Sequence, residues 1–107
     1  MTADRERIAA QIPKRPSVAS SRDAGLYDRP RVVTTYRPFV VDGHEVQVQK
    51  TTRRVRKLHR GRNIDSERTS WSATIDGGRV RGSAPHHLYR WLRADIRVTI
   101  ARMDGAL

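Results

Sequence analysis

The pattern of hydrophobic and polar residues predicts a hairpin in the middle of the chain, at "RVVTTYRPFVVDGHEVQVQKTT". β-Branched residues flank Asp42-Gly43, a dipeptide that suits the positive φ angles of a two-residue hairpin turn. With that turn, Phe39 lies opposite Val46, and one face of the hairpin is apolar while the other is polar. Pro38 has no backbone N–H to donate, so the first strand is expected to lie at a sheet edge or to carry a bulge there.

A second hairpin is predicted at "SWSATIDGGRVRGS", where Trp71, Ala73 and Ile75 alternate with serine and threonine. A turn at Gly77-Gly78 places Ile75 opposite Val80 and Asp76 opposite Arg79.

The last predicted element is a helix. Ser83 suits an N-cap, proline is tolerated in the first turn, and apolar residues recur at helical spacing from Leu88 to Met103. Asp95 and Thr99 fall inside this apolar stripe, and "IRVTI" is also a good strand sequence. One continuous helix is therefore the prediction, with a terminal strand after Asp95 as the alternative.

Together these elements predict an α+β fold, in which a small antiparallel sheet of two hairpins packs against one C-terminal amphipathic helix. Residues 1–30 are expected to form a flexible basic arm that contains a short helix at 3–11, because the segment has no sustained apolar period. Residues 31–104 would form the compact domain and 105–107 a tail. A domain this small is marginally stable, which leaves a homodimer or a larger assembly open.

Charge changes this picture, because the 107 residues carry 22 lysines and arginines against 11 aspartates and glutamates. Residues 31–63 hold nine of the cations and two of the anions. Within them, "KTTRRVRKLHRGR" (Lys50–Arg62) has seven cations in thirteen residues and no carboxylate. Such clustering favours a polyanionic partner, and nucleic acid is the first candidate.

Two groups of cations are predicted to contact phosphate. Arginine forks match phosphate oxygens well, and close cations repel one another unless an anion screens them. The first group is the strand and loop set Lys50, Arg53, Arg54, Arg56, Lys57, Arg60 and Arg62. The second is a stripe on the outer face of the helix, formed by Arg90, Arg93 and Arg97 after His86.

Aromatic residues offer a second kind of contact. Tyr36 is assigned to the polar face of the first hairpin, with Gln47 and Gln49 across from it, and is the candidate for stacking on a base. Trp71 and Trp91 lie on the predicted apolar faces, so they are expected to join sheet and helix in the core.

Several function classes find no support in the residues. No cysteine, standard metal-ligand spacing, glycine-rich phosphate loop or nucleophile motif is present, so we expect no enzyme, cofactor, metal site or small-molecule substrate. No run approaches a membrane span and no signal peptide is recognisable, which predicts a soluble, cytoplasmic protein without a membrane partner.

The sequence therefore predicts a small non-enzymatic protein that binds DNA or RNA through phosphate contacts. The alternative is a structural or interaction protein, such as a virion or complex component whose N-terminal arm orders on assembly, or an antagonist of an acidic host protein.

Overall fold

The structure is a computed structural model that describes residues 2–26, 29–79 and 86–105. In chain order its elements are α1 (Thr2–Gln11), β1 (Val18–Leu26), β2 (Arg29–Tyr36), β3 (Phe39–Val41), β4 (His44–His59), β5 (Arg62–Ile75), β6 (Gly78–Arg79) and α2 (Tyr89–Met103). The strands form one antiparallel sheet in the order β1-β2-β4-β5-β6, and β3 also pairs with β4. The predicted α+β fold with a C-terminal helix is confirmed.

The first predicted hairpin is present as β3 and β4, with Phe39 opposite Val46. Its turn is Asp42-Gly43, with φ angles of 49° and 81°. The register then shifts by one residue around Pro38, so that Thr35 of β2, rather than Tyr36, lies opposite Gln49. A one-residue shift exchanges the two faces of a strand. Tyr36 consequently points to the core.

A longer hairpin, formed by β4 and β5, joins the two predicted ones. Its turn is Arg60-Gly61, with φ angles of 51° and 76°. β2 pairs with one edge of β4 as far as Arg31–Arg53. From that pair to the turn, β5 is the one described strand that pairs with β4. Residues 54–67 therefore form a two-stranded extension, here called the ribbon, with a length of about 20 Å at the usual strand rise.

The turn between β5 and β6 is displaced by one residue from the predicted position. It is Asp76-Gly77, with φ angles of 52° and 80°, and Ile75 lies opposite Gly78. Asp76 takes the first position of this turn, where a glycine was predicted, because aspartate tolerates the left-handed conformation. The expected pairing of Asp76 with Arg79 is wrong, because Arg79 lies opposite Thr74. Val80 lies outside the described residues.

The N-terminal segment contributes to both layers of the fold. α1 packs against α2 and buries Ile8 and Ile12, while β1 pairs with β2 along Val18–Leu26. No strand was predicted here, because the sequence VASSRDAGL lacks apolar alternation and most of its side chains are exposed.

The core lies between the two helices and one face of the sheet. Its wholly buried large side chains are Ile8, Val41, Val46, Val48, Leu92, Ile96 and Ile100. The helices cover the sheet near the β3–β4 turn and leave the ribbon uncovered on this side, because α2 begins beside Trp71 and ends beside His44.

α2 continues through Asp95 to Met103, which rules out the terminal strand. The Asp95 carboxylate is 3.1 Å from Nε2 of His86, and its backbone carbonyl accepts a 2.8 Å hydrogen bond from the Thr99 hydroxyl. These partners let two polar residues border the apolar stripe without an unpaired buried group. Trp91 is 48% exposed, so its predicted core position is wrong. The predicted start of the helix after Ser83 is wrong, because α2 begins at Tyr89 with Leu88 as its N-cap; Ser83 itself lies outside the described residues.

Candidate nucleic-acid interface

The two faces of the sheet differ in cover and in chemistry. Val46 and Val48 of β4 point to the helices and are buried, whereas the alternating Gln47 and Gln49 point away from them. Side chains alternate along a strand and directly opposed residues share a face, so the pairing assigns every strand position to one side. We call the side that carries Gln47 and Gln49 the open face.

Three arginines form a row across the open face. Arg31 of β2 lies directly opposite Arg53 of β4, and Arg53 lies directly opposite Arg68 of β5. All three side chains are exposed. Neighbouring strands are about 4.8 Å apart, so the row spans about 10 Å. Like charges directly opposite one another are unfavourable, and an anion above the row would remove the repulsion.

Apart from the aliphatic residues Val33, Val40 and Ile64, the described residues of the open face are mostly polar, and few are carboxylates. Arg22 of β1 belongs to the adjacent row, opposite Val33, and Arg62 shares the strand face of Arg68. Among the described strand residues the open face carries one carboxylate, Glu45. Glu45 and Arg53 are eight residues apart on β4, which is about 26 Å at the usual rise. Among the described strand residues, the arginine row therefore has no anion near it on its own face.

The opposite side of the same strands is charge-balanced. Arg54 lies directly opposite Glu67, and Arg56 opposite Asp65. The basic stretch has no carboxylate in its own sequence, but β5 supplies two across the hairpin. Nζ of Lys50 stands 5.4 Å from the ring centroid of Trp71 on this side. Among the strand residues predicted to contact phosphate, Lys50 and Arg54 therefore lie on the opposite side of the sheet from Arg53.

The end of the ribbon carries the remaining predicted strand and loop residues. Arg60 and Arg62 are exposed at the turn, and Leu58 beside them is 75% exposed. Arg56 and Lys57 belong to β4, but the structure does not describe their side chains. The ribbon end is therefore a basic projection from the sheet.

The predicted stacking position of Tyr36 is wrong. Its side chain is 5% exposed and stacks on Trp71, with ring centroids 5.5 Å apart. Trp71 in turn lies 4.9 Å from the ring of Tyr89 on α2. The register shift at Pro38 turns Tyr36 into this cluster, where a base cannot reach it.

The helical stripe lies on the helix side of the molecule, away from the open face. Arg90 is exposed, but Arg93 and Arg97 are half-buried beside α1. Nη2 of Arg93 donates to the carbonyl of Ile12 at 3.2 Å. Arg93 and Arg97 were predicted to lie on the outer, solvent-facing side of the helix, and this prediction is wrong because α1 packs over that side. The two predicted basic surfaces do not merge into one.

Ion pairs hold the hairpin turns at the far end of the sheet. Nδ1 of His44 is 2.7 Å from Asp76 Oδ2, and its Nε2 is 2.9 Å from Asp104 Oδ1 at the end of α2. Hydrogen bonds to these two carboxylates raise the pKa of His44. At the other turn, hydrogen bonds from Gln11 and Arg7 lower the pKa of Asp42. These contacts fix α1 and α2 to the sheet.

Sequence reasoning missed Arg22, Arg31 and Arg68 as members of the basic surface. They are scattered along the chain, and only strand pairing brings them beside Arg53. A signal was available in Arg60-Gly61, because a two-residue turn there predicts that Arg53 and Arg68 are opposed.

Comparison of the chain with known protein families, with curated proteins and with solved structures found no match. Neither α1 nor α2, the helices of the described chain, has the length and apolarity that a membrane crossing demands.

Proposed function

We propose that this is a non-enzymatic, cytoplasmic protein that binds DNA or RNA by contacting the phosphate backbone with the open face of its sheet. The single observation that carries the proposal is the row Arg31–Arg53–Arg68, three exposed cations held side by side by strand pairing. Such a row is unfavourable by itself and becomes favourable when phosphates bridge it.

The chemistry of the open face indicates the kind of recognition. In the described part of the chain, the open face carries arginines, small polar side chains and the aliphatic residues Val33, Val40 and Ile64. The aromatic residues Tyr36, Phe39 and Trp71 lie on the helix-covered side. Without an aromatic platform, the contacts would be to phosphate and sugar, which give affinity but little sequence preference. Arg60 and Arg62 would extend these contacts along the ribbon, with Lys57 as a further candidate, while Arg56 belongs to the opposite side of the ribbon.

The test is fluorescence anisotropy of labelled duplex DNA, single-stranded DNA and RNA, measured from about 50 to about 200 mM salt. The triple variant R31Q/R53Q/R68Q removes the row. A matched control, R15Q/R54Q/R102Q, removes the same charge from exposed positions outside the open face. For B-DNA, each lost phosphate contact should reduce the slope of log K against log salt by about 0.9.

The proposal requires the row variant to lose far more affinity and salt dependence than the control. Equal losses in both would mean that net charge, not the row, drives binding. Absence of binding to all three nucleic acids at the lowest salt would reject the proposal.

A second candidate function, a component of a protein assembly, is favoured by the exposed edge of β1. This strand pairs with β2 on one side, and no described strand pairs with its other side. An exposed strand edge can accept a strand from another chain. Analytical ultracentrifugation at physiological salt would reveal an assembly larger than a dimer, and S21P should disrupt it by removing one N–H of β1. A monomer at all concentrations would exclude self-assembly.

A further inference from the structure

A narrow cleft lies between the two helices, on the side of α2 that faces away from the sheet. Ala9 and Ile12 of α1 form one wall, and Arg90, Arg93, Ala94 and Arg97 of α2 form the other. Its volume is about 150 Å³. A water molecule occupies about 30 Å³ in the liquid. The cleft therefore has room for a tetrahedral oxyanion together with some water.

Three arginines meet at this cleft without a counter-charge. Positions 90, 93 and 97 follow one helical stripe, which brings the three guanidinium groups to the same side of α2. Within the described residues, none of the three forms an ion pair with a carboxylate. Asp95, the acidic residue among them in sequence, pairs instead with His86. The stripe is thus a concentrated and uncompensated positive charge.

Two of the arginines that line the cleft have a buried donor without an acceptor among the described residues. The Nε atoms of Arg93 and Arg97 are buried, and neither has a hydrogen-bond partner among the residues that the structure describes. A buried donor on a charged group is costly when it is unpaired, and in native proteins such a group commonly has a partner in water or a bound ion. These two N–H groups therefore indicate that an acceptor belongs beside them.

One of the arginines is already oriented by the fold. Nη2 of Arg93 donates to the carbonyl of Ile12, and the Tyr89 hydroxyl donates to the carbonyl of Pro13 at 2.6 Å. These bonds tie the end of α1 to α2 and hold the cleft walls together. A guanidinium that is fixed in this way loses less conformational entropy when it binds an anion.

From these observations we propose that the cleft between α1 and α2 is a binding site for a phosphate-type oxyanion, held by Arg93 and Arg97 with Arg90 at its mouth. Arginine forks make paired, charge-assisted hydrogen bonds to phosphate oxygens, which satisfies the unpaired Nε donors. The site is separate from the arginine row of the open face. Its ligand is either a phosphate of a nucleic-acid backbone or a free phosphate compound, because both present the same oxygens.

The test uses the full chain and the ¹⁵N-resolved Nε–H signals of its arginines in NMR spectra. Inorganic phosphate is added at constant ionic strength, with sodium chloride as the matched control titrant. We expect the Arg93 and Arg97 signals to shift and saturate with phosphate, while the signal of Arg54 stays in place. R97Q should weaken phosphate binding about tenfold or more, whereas R54Q should not change it.

R97Q is preferred to a change at Arg93, because no hydrogen bond within the described residues depends on Arg97. R97K provides a second check, since it keeps the charge but loses the fork and should recover only part of the affinity. The inference is overturned if the Arg93 and Arg97 signals do not saturate with phosphate. It is also overturned if R97Q and R54Q have equal effects.

A second titration, with a short DNA duplex, identifies the source of the phosphate. Saturating shifts at Arg93 and Arg97 would assign the site to backbone phosphate. Shifts confined to Arg31, Arg53 and Arg68, combined with binding of inorganic phosphate in the cleft, would assign the site to a free phosphate compound. If phosphate fills the cleft but the duplex, single-stranded DNA and RNA each shift no arginine, the proposed nucleic-acid function fails and the oxyanion site stands.

Discussion

Arg53 lies directly opposite Arg68 on the open face, two cations held together by the pairing of β4 with β5. Strand pairing alone would favour an opposite charge at either position. On the other side of the same strands, Arg54 has Glu67 opposite it. The open face therefore carries uncompensated positive charge, whereas the opposite side of the same strands pairs cations with carboxylates. An anionic ligand would stabilise the protein by binding to the open face.

This repulsion predicts that R68Q stabilises the unbound protein. The free energy of unfolding should rise by about 0.2–1 kcal/mol at low salt, because a like-charge cross-strand pair is removed. The gain should shrink at about 1 M salt, where the Debye length is about 3 Å. Urea denaturation at the two salt concentrations measures it. R54Q is the control, and an equal gain in R54Q would contradict a local origin.

The contacts of His44 predict that stability falls as pH rises above about 6.5, the pKa of the ring in the unfolded chain. Asp76 and Asp104 raise the pKa of His44 in the folded protein above its unfolded value of about 6.5. The stabilising effect of the protonated ring is therefore complete below that unfolded value and is lost as pH passes through the higher folded pKa.

His44 in turn lowers the pKa of Asp76. The ionised carboxylate therefore stabilises the fold at pH values above its pKa in the unfolded chain, and this stabilisation is lost as pH falls through the lower pKa of the folded state. Thermal melting should show stability decreasing at low pH, through protonation of Asp76, and decreasing again above about pH 6.5, through deprotonation of His44. In H44Q the decline that begins near pH 6.5 should be absent, and a decline of the same size there in H44Q would assign it to another group.

Burial of Tyr89 predicts a late ionisation. Burial raises its pKa to about 12, whereas an unfolded tyrosine ionises near its ordinary value of 10. The free energy of unfolding should therefore fall between about pH 10 and pH 12, because only the unfolded state loses the proton there. Ultraviolet titration of the folded protein should show a tyrosine step near pH 12, and Y89F should remove that step. Persistence of the step in Y89F would refute the assignment.

The same Y89F variant should lower the free energy of unfolding at neutral pH by about 1 kcal/mol, through loss of the hydrogen bond to the Pro13 carbonyl. Urea denaturation measures the change. An unchanged midpoint would show that the bond is not formed in solution.

The wholly buried side chain of Ile8 predicts that the N-terminal helix is part of the cooperative fold. I8A should lower the free energy of unfolding by about 2–5 kcal/mol, the usual cost of truncating a buried isoleucine. I64A, at a side chain that is 45% exposed on the ribbon, should cost much less. Similar values for the two variants in urea denaturation would mean that α1 does not pack on the domain in solution.

Sequence alone determined the features that depend on neighbouring residues. Alternation of apolar residues around Asp42-Gly43 set the β3–β4 hairpin, helical spacing from Leu88 to Met103 set α2, and the cationic stretch Lys50–Arg62 marked the basic region. Each of these signals acts over a few residues, so a linear pattern is enough to find it.

Only the tertiary structure decided which cations lie side by side and which aromatic ring is buried. Arg31, Arg53 and Arg68 are far apart in sequence, and they meet because three strands pair in one register. The one-residue shift at Pro38 put Tyr36 in the core, and the packing of α1 on α2 enclosed Arg93 and Arg97. A register shift of one residue exchanges every side chain between faces, and packing of distant segments leaves no local trace in sequence.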